Sequence, residues 1–271
     1  MDMNHRSESS RIAKKIDTVV LNISTELLRK QSIGNKDVGM IGVINMLTED
    51  VGVELEAYGG EILTITRSGI SAMFSKEFDK ALQCAITLCQ EAELEERQPL
   101  FKGLSVGIDY GTISVGTVSY KEFVIPIVIS EIMETAQFLS HLALNYHSRI
   151  LVTGSAASLT KDFQLRYNNR RLGRLFHASA NFADDIFDVY DGDRADAKYS
   201  KMRSRLFFET GVDLFLKGNY LEARSYFIEI LKFDRNDAAA KQYVFRCDSC
   251  IAGTATEFEK KYLDRRDVGR R

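Results

Sequence analysis

Two cysteines separated by two residues, Cys247 and Cys250, carry the spacing from which redox pairs and zinc sites are built. A structural zinc site would need two more ligands, from a second such pair or from histidines close in sequence. The sequence offers neither: Cys84 and Cys89 are spaced differently, and His5, His141, His147 and His177 are scattered. His141 and His147 stand six residues apart in a helical pattern, off the three-or-four spacing that aligns ligands on one helix face. The cysteine pair therefore reads as reduced helix thiols, and the histidines as surface or interface residues. Asp184-Asp185 and Glu95-Glu96 read as solvated turn and helix charges. No metal site is expected from these groups.

Composition narrows the function classes. Thirty-six basic and 38 acidic residues leave a formal charge of -2, which gives no general attraction to nucleic acid or to an anionic membrane. Apolar residues make up 45% and charged residues 27%, with prolines only at Pro99 and Pro126, as in an ordinary soluble globular chain. The longest apolar stretch, residues 123–129, is far shorter than the roughly 20 residues that span a bilayer. The polar amino-terminal residues have no apolar signal core, so membrane insertion is not expected and a cytoplasmic location is.

The elements that would position chemistry follow from periodicity. Residues 16–23 are rich in β-branched side chains and fit a buried strand, while 40–56 carry apolar residues at helical spacing up to the stop at Tyr58-Gly59-Gly60. Residues 61–66 and 69–74 read as a hairpin, and 79–96 as a helix. Residues 104–108 and 112–118 flank Asp109-Tyr110-Gly111, which reads as a second hairpin turn. An apolar run at 123–129, a helix at 131–146, a strand at 149–153, a short helix at 156–162 and strands at 172–176 and 186–190 complete the unit. This order predicts an α+β fold, helices layered on an antiparallel-rich sheet. The charged stretch 193–205 reads as a linker, and 206–216, 220–232 and 237–250 as three helices.

The same order resembles the catalytic domain of the class III adenylate and guanylate cyclases, from about residue 16 to residue 190. Tyr58-Gly59-Gly60 with the hairpin ending in Ala72-Met73-Phe74 is similar to the family's metal-bearing hairpin. Residues 106–116 (VGIDYGTISVG) are similar to its G-I-x-x-G-x-x-x-V-G segment, residues 128–139 to its I-G-D-x-V-N-x-A-x-R-L segment, and 148–153 to its G-x-x-I-L-V-S strand. Gly59-Gly60-Glu61 also begins like the diguanylate cyclase signature, but Ile62 and Leu63 follow where an acid and an aromatic belong. The resemblance implies a ferredoxin-like cyclase palm over residues 11–192, after a disordered tail at 1–10.

It also implies a site, and here the side chains depart from the family. Cyclisation needs cations to neutralise phosphate charge and to hold the transition state, and family members place two Mg or Mn ions on two aspartates. Those aspartates align with Asn22 and Ser68. The base-contacting lysine aligns with Thr64 and its partner with Ile125; the ribose-orienting asparagine and the phosphate-stabilising arginine align with Glu134 and Phe138. A phenyl ring cannot replace a guanidinium fork, and an acid repels triphosphate. The resemblance therefore implies a degenerate member with no catalytic residues and no cofactor.

Residues 207–237 resemble one tetratricopeptide repeat, with Gly211, Ala223 and Phe227 at its small, small and aromatic positions. One repeat buries too little to stand alone, so the helical segment 206–271 is expected to dock. The leading reading is a signalling, scaffolding or regulatory module that pairs as a homodimer or with a heteromeric protein partner. The alternatives are an active cyclase with unorthodox ligands, or a domain that binds a nucleotide or small ligand without turnover.

Overall fold

The computed structural model describes residues 14–30, 37–66, 68–94, 96–120, 122–178 and 180–263. The amino-terminal tail, His5, Glu95 and the final residues from 264 lie outside them. The apolar, β-branched run read as a buried strand forms β1 (Lys14–Ser24). It pairs antiparallel with β3 (Gly69–Phe74) on one side and β4 (Ser105–Tyr120) on the other. Outside β3 lies β2 (Glu61–Thr66); beyond β4 come β6 (Ile150–Thr153), β8 (Phe182–Val189) and β7 (Asn169–His177). β5 (Phe123–Ile129) pairs with the outer half of β4. The β4–β6 pairing is parallel and the other recorded pairings are antiparallel, as the α+β reading requires.

Side chains alternate across a strand, so this sheet feeds a core on each face. Val19, Leu21 and Ile23 of β1 join one core with α2 (Asp37–Ala57) and α3 (Phe78–Glu91). The short helices α1 (Glu26–Lys30), α4 (Gln98–Phe101), α6 (Gly154–Ala157) and α7 (Phe163–Arg166) add Leu28, Phe101, Ala156 and Phe163 to it. Val20 and Asn22 point the other way, toward α5 (Glu131–Asn145).

The second core is continuous from α5 and Leu151, Leu172 and Ile186 of the sheet into α8 (Ala195–Leu216), α9 (Tyr220–Phe233) and α10 (Ala238–Ile251). The carboxy-terminal helices therefore dock on this chain's own sheet. Phe208, Phe215, Phe227 and Tyr243 are fully buried there, each burial stabilising the fold by about 1.5–3 kcal/mol. Gly211 allows the close approach: a Cβ on it would sit 2.8 Å from the Phe227 ring.

A buried ion cluster ties the helices to the sheet. Arg170 of β7 donates to Asp188 of β8 at 3.0 Å and to Asp237, the N-cap of α10, at 2.6 Å, with its guanidinium 4.3 Å from the Phe208 ring centre. Lys201 of α8 pairs with Asp188 at 3.0 Å and with Asp193 at 2.7 Å. Such a cluster adds little net energy but costs several kcal/mol when one partner is removed.

Three expectations need correction. Residues 195–205, the greater part of the stretch 193–205 read as linker, are the first turns of α8; Lys201 is buried against Asp188 of β8, and Lys198 pairs with Asp191 just past the end of that strand. No turn forms at Asp109-Tyr110-Gly111; β4 runs through it unbroken, and the chain reverses after Tyr120. Gly111 is needed for space instead, since a Cβ there would lie 2.8 Å from the Ile132 side chain on α5. The short helix expected at 156–162 forms at Gly154–Ala157.

Replacing Asp237 with Asn should lower the unfolding free energy by about 2 kcal/mol or more in urea titrations, because it leaves Arg170 short of a buried counter-charge. Burial alone would raise the Asp237 pKa, but the Arg170 charge and hydrogen bonds hold it below the usual carboxylate value. Its stabilisation is thus present above about pH 4 and lost as pH falls further, and D237N should lack that share of acid sensitivity.

Candidate functional site

Asn22 sits in the middle of the sheet, with Ser71 of β3 and Gly107 of β4 as its register partners. It is buried, and its amide is engaged at both ends. Nδ2 donates to Ser71 Oγ at 2.9 Å, and Oδ1 accepts from Ser140 Oγ of α5 at 2.7 Å. Ser140 Oγ also lies 2.8 Å from the Gln137 carbonyl, so its one proton is divided between two acceptors. Glycines make this network reachable. A Cβ on Gly107 would overlap the Ala136 carbonyl oxygen and stand 2.6 Å from Ser140 N. Gly69, at φ +147, could not carry a Cβ beside Asn22 Oδ1, 2.9 Å away.

Ser68 adjoins this network at the β2–β3 turn. Its amide donates to Thr66 Oγ1 at 3.2 Å, and its carbonyl lies 3.2 Å from His141 Nε2, the residue after Ser140 on α5. Burial lowers the His141 pKa, opposed by that contact with the Ser68 carbonyl. The structure thus brings Asn22 and Ser68 together under α5. Both offer neutral oxygen only, whereas two hard divalent ions beside a triphosphate need anionic ligands. The donor set does not fit the metals that the resemblance implies.

The other four positions divide. Glu134 and Phe138 lie on the first turns of α5 and line a cavity of about 570 Å³ with Thr135, Phe176 and His177. Thr64 is on β2, opposite Ser71 at a β-bulge. Ile125 is on β5, opposite Val118 and 56% exposed, and does not line that cavity.

One buried group escaped the sequence reading. Asp109 of β4 is buried; its Oδ1 accepts from Thr153 Oγ1 at 2.7 Å and from the Tyr110 amide at 2.8 Å, while Oδ2 has no hydrogen-bond partner. Burial pushes its pKa up to about 7, reinforced by the Asp184 charge and opposed by those two hydrogen bonds. A single acid in the apolar run Val106-Gly107-Ile108-Asp109 was the available signal. The cysteines are free and buried, and burial pushes Cys84, Cys89 and Cys247 up to about 12, so the pair at 247 and 250 is not a reactive site. No group of three metal-ligating side chains occurs among the described residues.

No protein-family model matches the chain. Over 142 residues, 52% of this chain, it is 28% identical to the terminal-differentiation specific adenylate cyclase of Dictyostelium discoideum, and it spans 7% of that enzyme's length. Among solved structures it superposes on a bacterial light-regulated adenylyl cyclase with a TM-score of 0.56 at 15% identity, covering 68% of this chain and 53% of that one. It superposes on the adenylyl cyclase CyaB from P. aeruginosa with a TM-score of 0.53 at 17% identity, covering 68% of this chain and 98% of that one. The fold is that of the class III nucleotide cyclases. Within this cyclase-like domain, the face of the sheet under α5 carries Asn22, Gly107 and Asp109, and it is neutral where it meets the hairpin at Ser68.

Asp109→Asn keeps an acceptor for Thr153 and the Tyr110 amide but removes the carboxyl. The folded chain holds the Asp109 proton to about pH 7 and the unfolded chain releases it near pH 4, so this group's contribution to stability declines as pH rises between those values. The stability advantage of D109N over the parent should grow by on the order of 3 kcal/mol from pH 5 to pH 8 in paired denaturant titrations.

Proposed function

We propose that this cyclase-like domain is catalytically silent and serves as a regulatory or scaffolding module through protein association. The observation that carries the proposal is Asn22: at the position that resembles the first metal aspartate, a neutral amide is buried and hydrogen-bonded to Ser71 and Ser140. A metal ion arriving there would have to displace neutral partners and gain no anionic ligand from Asn22 or Ser68. Glu134 and Phe138 then leave the triphosphate without an asparagine amide or a guanidinium, the groups on which transition-state stabilisation would rest.

Support for association comes from the β4–β5 ribbon. Phe123 is 70% exposed, and Val118, Val124, Ile125 and Ile129 are exposed beside it. Apolar patches of this kind mark protein contact sites. The partner that fits the resemblance is a second copy of this chain or a cyclase domain of the same fold. The amphipathic carboxy-terminal helices, similar to a tetratricopeptide repeat, offer a second contact surface on the outer side of α8.

Purified protein should form no cyclic AMP or cyclic GMP from ATP or GTP with manganese, and N22D/S68D should not restore activity while Glu134 and Phe138 remain. Product above a boiled control that Asn22→Ala abolishes would overturn the proposal. In sedimentation at micromolar concentration the protein should exceed monomer mass, and Phe123→Glu with Ile125→Glu should return it to monomer without changing its melting temperature, since both side chains are solvent-facing. A parent protein that is monomeric and leaves active cyclases unaffected would contradict the association.

A further inference from the structure

We propose that α2 of one copy of this chain docks on the outer side of α8 of the next, linking the pairs formed by the β4–β5 ribbon into larger assemblies. The inference rests on the ribbon pairing proposed above only for the strength of the linkage, since a pair presents each helix twice.

α2 packs on one face of the sheet and α8 on the other, and each carries a second, outward stripe of apolar side chains. On α2, Leu47, Val51 and Leu55 are buried, while Gly42, Met46, Glu49, Val53 and Glu56 run down the opposite side. They are spaced by four, three, four and three residues, the repeat by which one helix lies along another. Met46 and Val53 of this stripe are exposed. On α8, Ser204, Phe208 and Phe215 face inward, whereas Tyr199, Met202 and Leu206, at spacings of three and four, face outward, with Leu206 74% exposed. A helix that did no more than cover the sheet would be polar on that side.

Charge decides what fits. α2 carries five acids and no lysine or arginine. Asp50 is paired with Arg97 at 3.6 Å and Glu54 lies against Glu91 of α3, but Glu49 and Glu56 are exposed on the outward stripe and enter no ion pair among the described residues. On α8, Lys198 is paired with Asp191, Lys201 is buried with Asp188, and Arg205 is paired with Glu209. Arg203 differs from these. It is exposed, its guanidinium is held over the Tyr199 and Phe233 rings at 5.9 and 5.4 Å, and no carboxylate among the described residues is within ion-pair reach of it. Asp234, close by at the end of α9, accepts instead from Ser200 Oγ at 2.6 Å and from the Asn236 amide at 2.8 Å. The exposed acids of one stripe therefore complement the exposed cation of the other, with apolar side chains beside both.

The glycines of α2 add an independent reason. A Cβ on Gly42 or Gly52 would meet nothing within 4 Å, so the chain's own packing needs neither glycine, although glycine inside a helix costs stability relative to alanine. Gly42 lies on the outward stripe, where a missing side chain lets a second helix approach closely.

Because α2 and α8 lie on opposite faces of the sheet, the contact is head to tail and does not close between two copies. Its few apolar side chains make it weak alone, and ribbon-joined pairs strengthen it by engaging it twice.

The test is sedimentation velocity of the full chain from about 1 to about 200 µM, a range that spans weak self-association. The parent mass should rise beyond that of a pair as concentration increases. Arg203→Glu should weaken that step about tenfold or more at an unchanged melting temperature, and adding Glu49→Lys and Glu56→Lys to R203E should restore it. Gly42→Gln should raise the melting temperature and yet lower the larger species, a combination that a role in the fold alone would not produce. A parent that stops at the pair, larger species indifferent to Arg203→Glu, or a charge reversal that restores nothing overturns this contact and leaves the ribbon pairing standing. A parent that is monomeric throughout overturns both. Association that survives Phe123→Glu with Ile125→Glu but not Arg203→Glu upholds this contact and overturns the ribbon pairing.

Discussion

The seating of α5 on the sheet at Gly107 is the constraint on which the rest of the molecule depends. With no side chain at that position, the α5 backbone meets β4 directly and carries Ser140 onto Asn22 and His141 onto the Ser68 carbonyl. The same seating aims Glu134 and Phe138 into the adjacent cavity and places Asp109 beneath the helix, where water does not reach it. A larger residue at 107 would lift the helix from the sheet and separate all of these groups at once. Asn22, Ser71 and Ser140 satisfy one another with neutral hydrogen bonds in a place where two carboxylates would need metal ions to be tolerated together.

The carboxy-terminal helices are part of this same construction. Their core is continuous with the α5 face, and the buried cluster of Arg170, Asp188, Asp237 and Lys201 lies where sheet, α8 and α10 meet. Apolar burial supplies the stabilising energy. The ion cluster selects one docked geometry, because any displacement of α10 takes Asp237 away from a guanidinium that has no water to replace it. The Tyr243 hydroxyl, donating to the Leu172 carbonyl at 2.6 Å, adds a directional contact between the same elements. Exposed apolar side chains remain on the β4–β5 ribbon and on α8 and α9, among them Phe123, Leu206 and Leu221.

Much of this was legible in the sequence where local pattern decides. The β2–β3 hairpin, the helical stripe of α5 and the last two terminal helices follow from periodicity and glycine placement, and they form where that pattern puts them. Gly111 is misleading because a glycine two residues after an aspartate also reads as a turn signal, and only the approach of Ile132 from α5 shows why it is there. The linker reading failed for a related reason. Charge density at 193–205 looks solvated until Asp188 of β8 and Asp191 just after it are brought alongside. Asn22 stands out through the resemblance, which aligns it with the family's first metal aspartate, but its partner Ser140 lies 118 residues away and no local pattern joins them. Asp109 reads as a turn residue and not as a buried acid because its environment is made by Thr153 and Asp184, from strands distant in the chain. Residue identities can be read from sequence; the burial that gives them consequence cannot.

The claim at the centre is that the place under α5 where Asn22 and Ser68 meet holds no divalent ion. Electron paramagnetic resonance of free manganese, titrated with protein in the presence of a non-hydrolysable ATP analogue, addresses it without relying on turnover. The account requires that the free-ion signal be reduced no further than by the analogue alone, for the parent and for Asn22→Ala equally. Stoichiometric loss of the free-ion signal on adding the parent protein, reversed by Asn22→Ala, would contradict it.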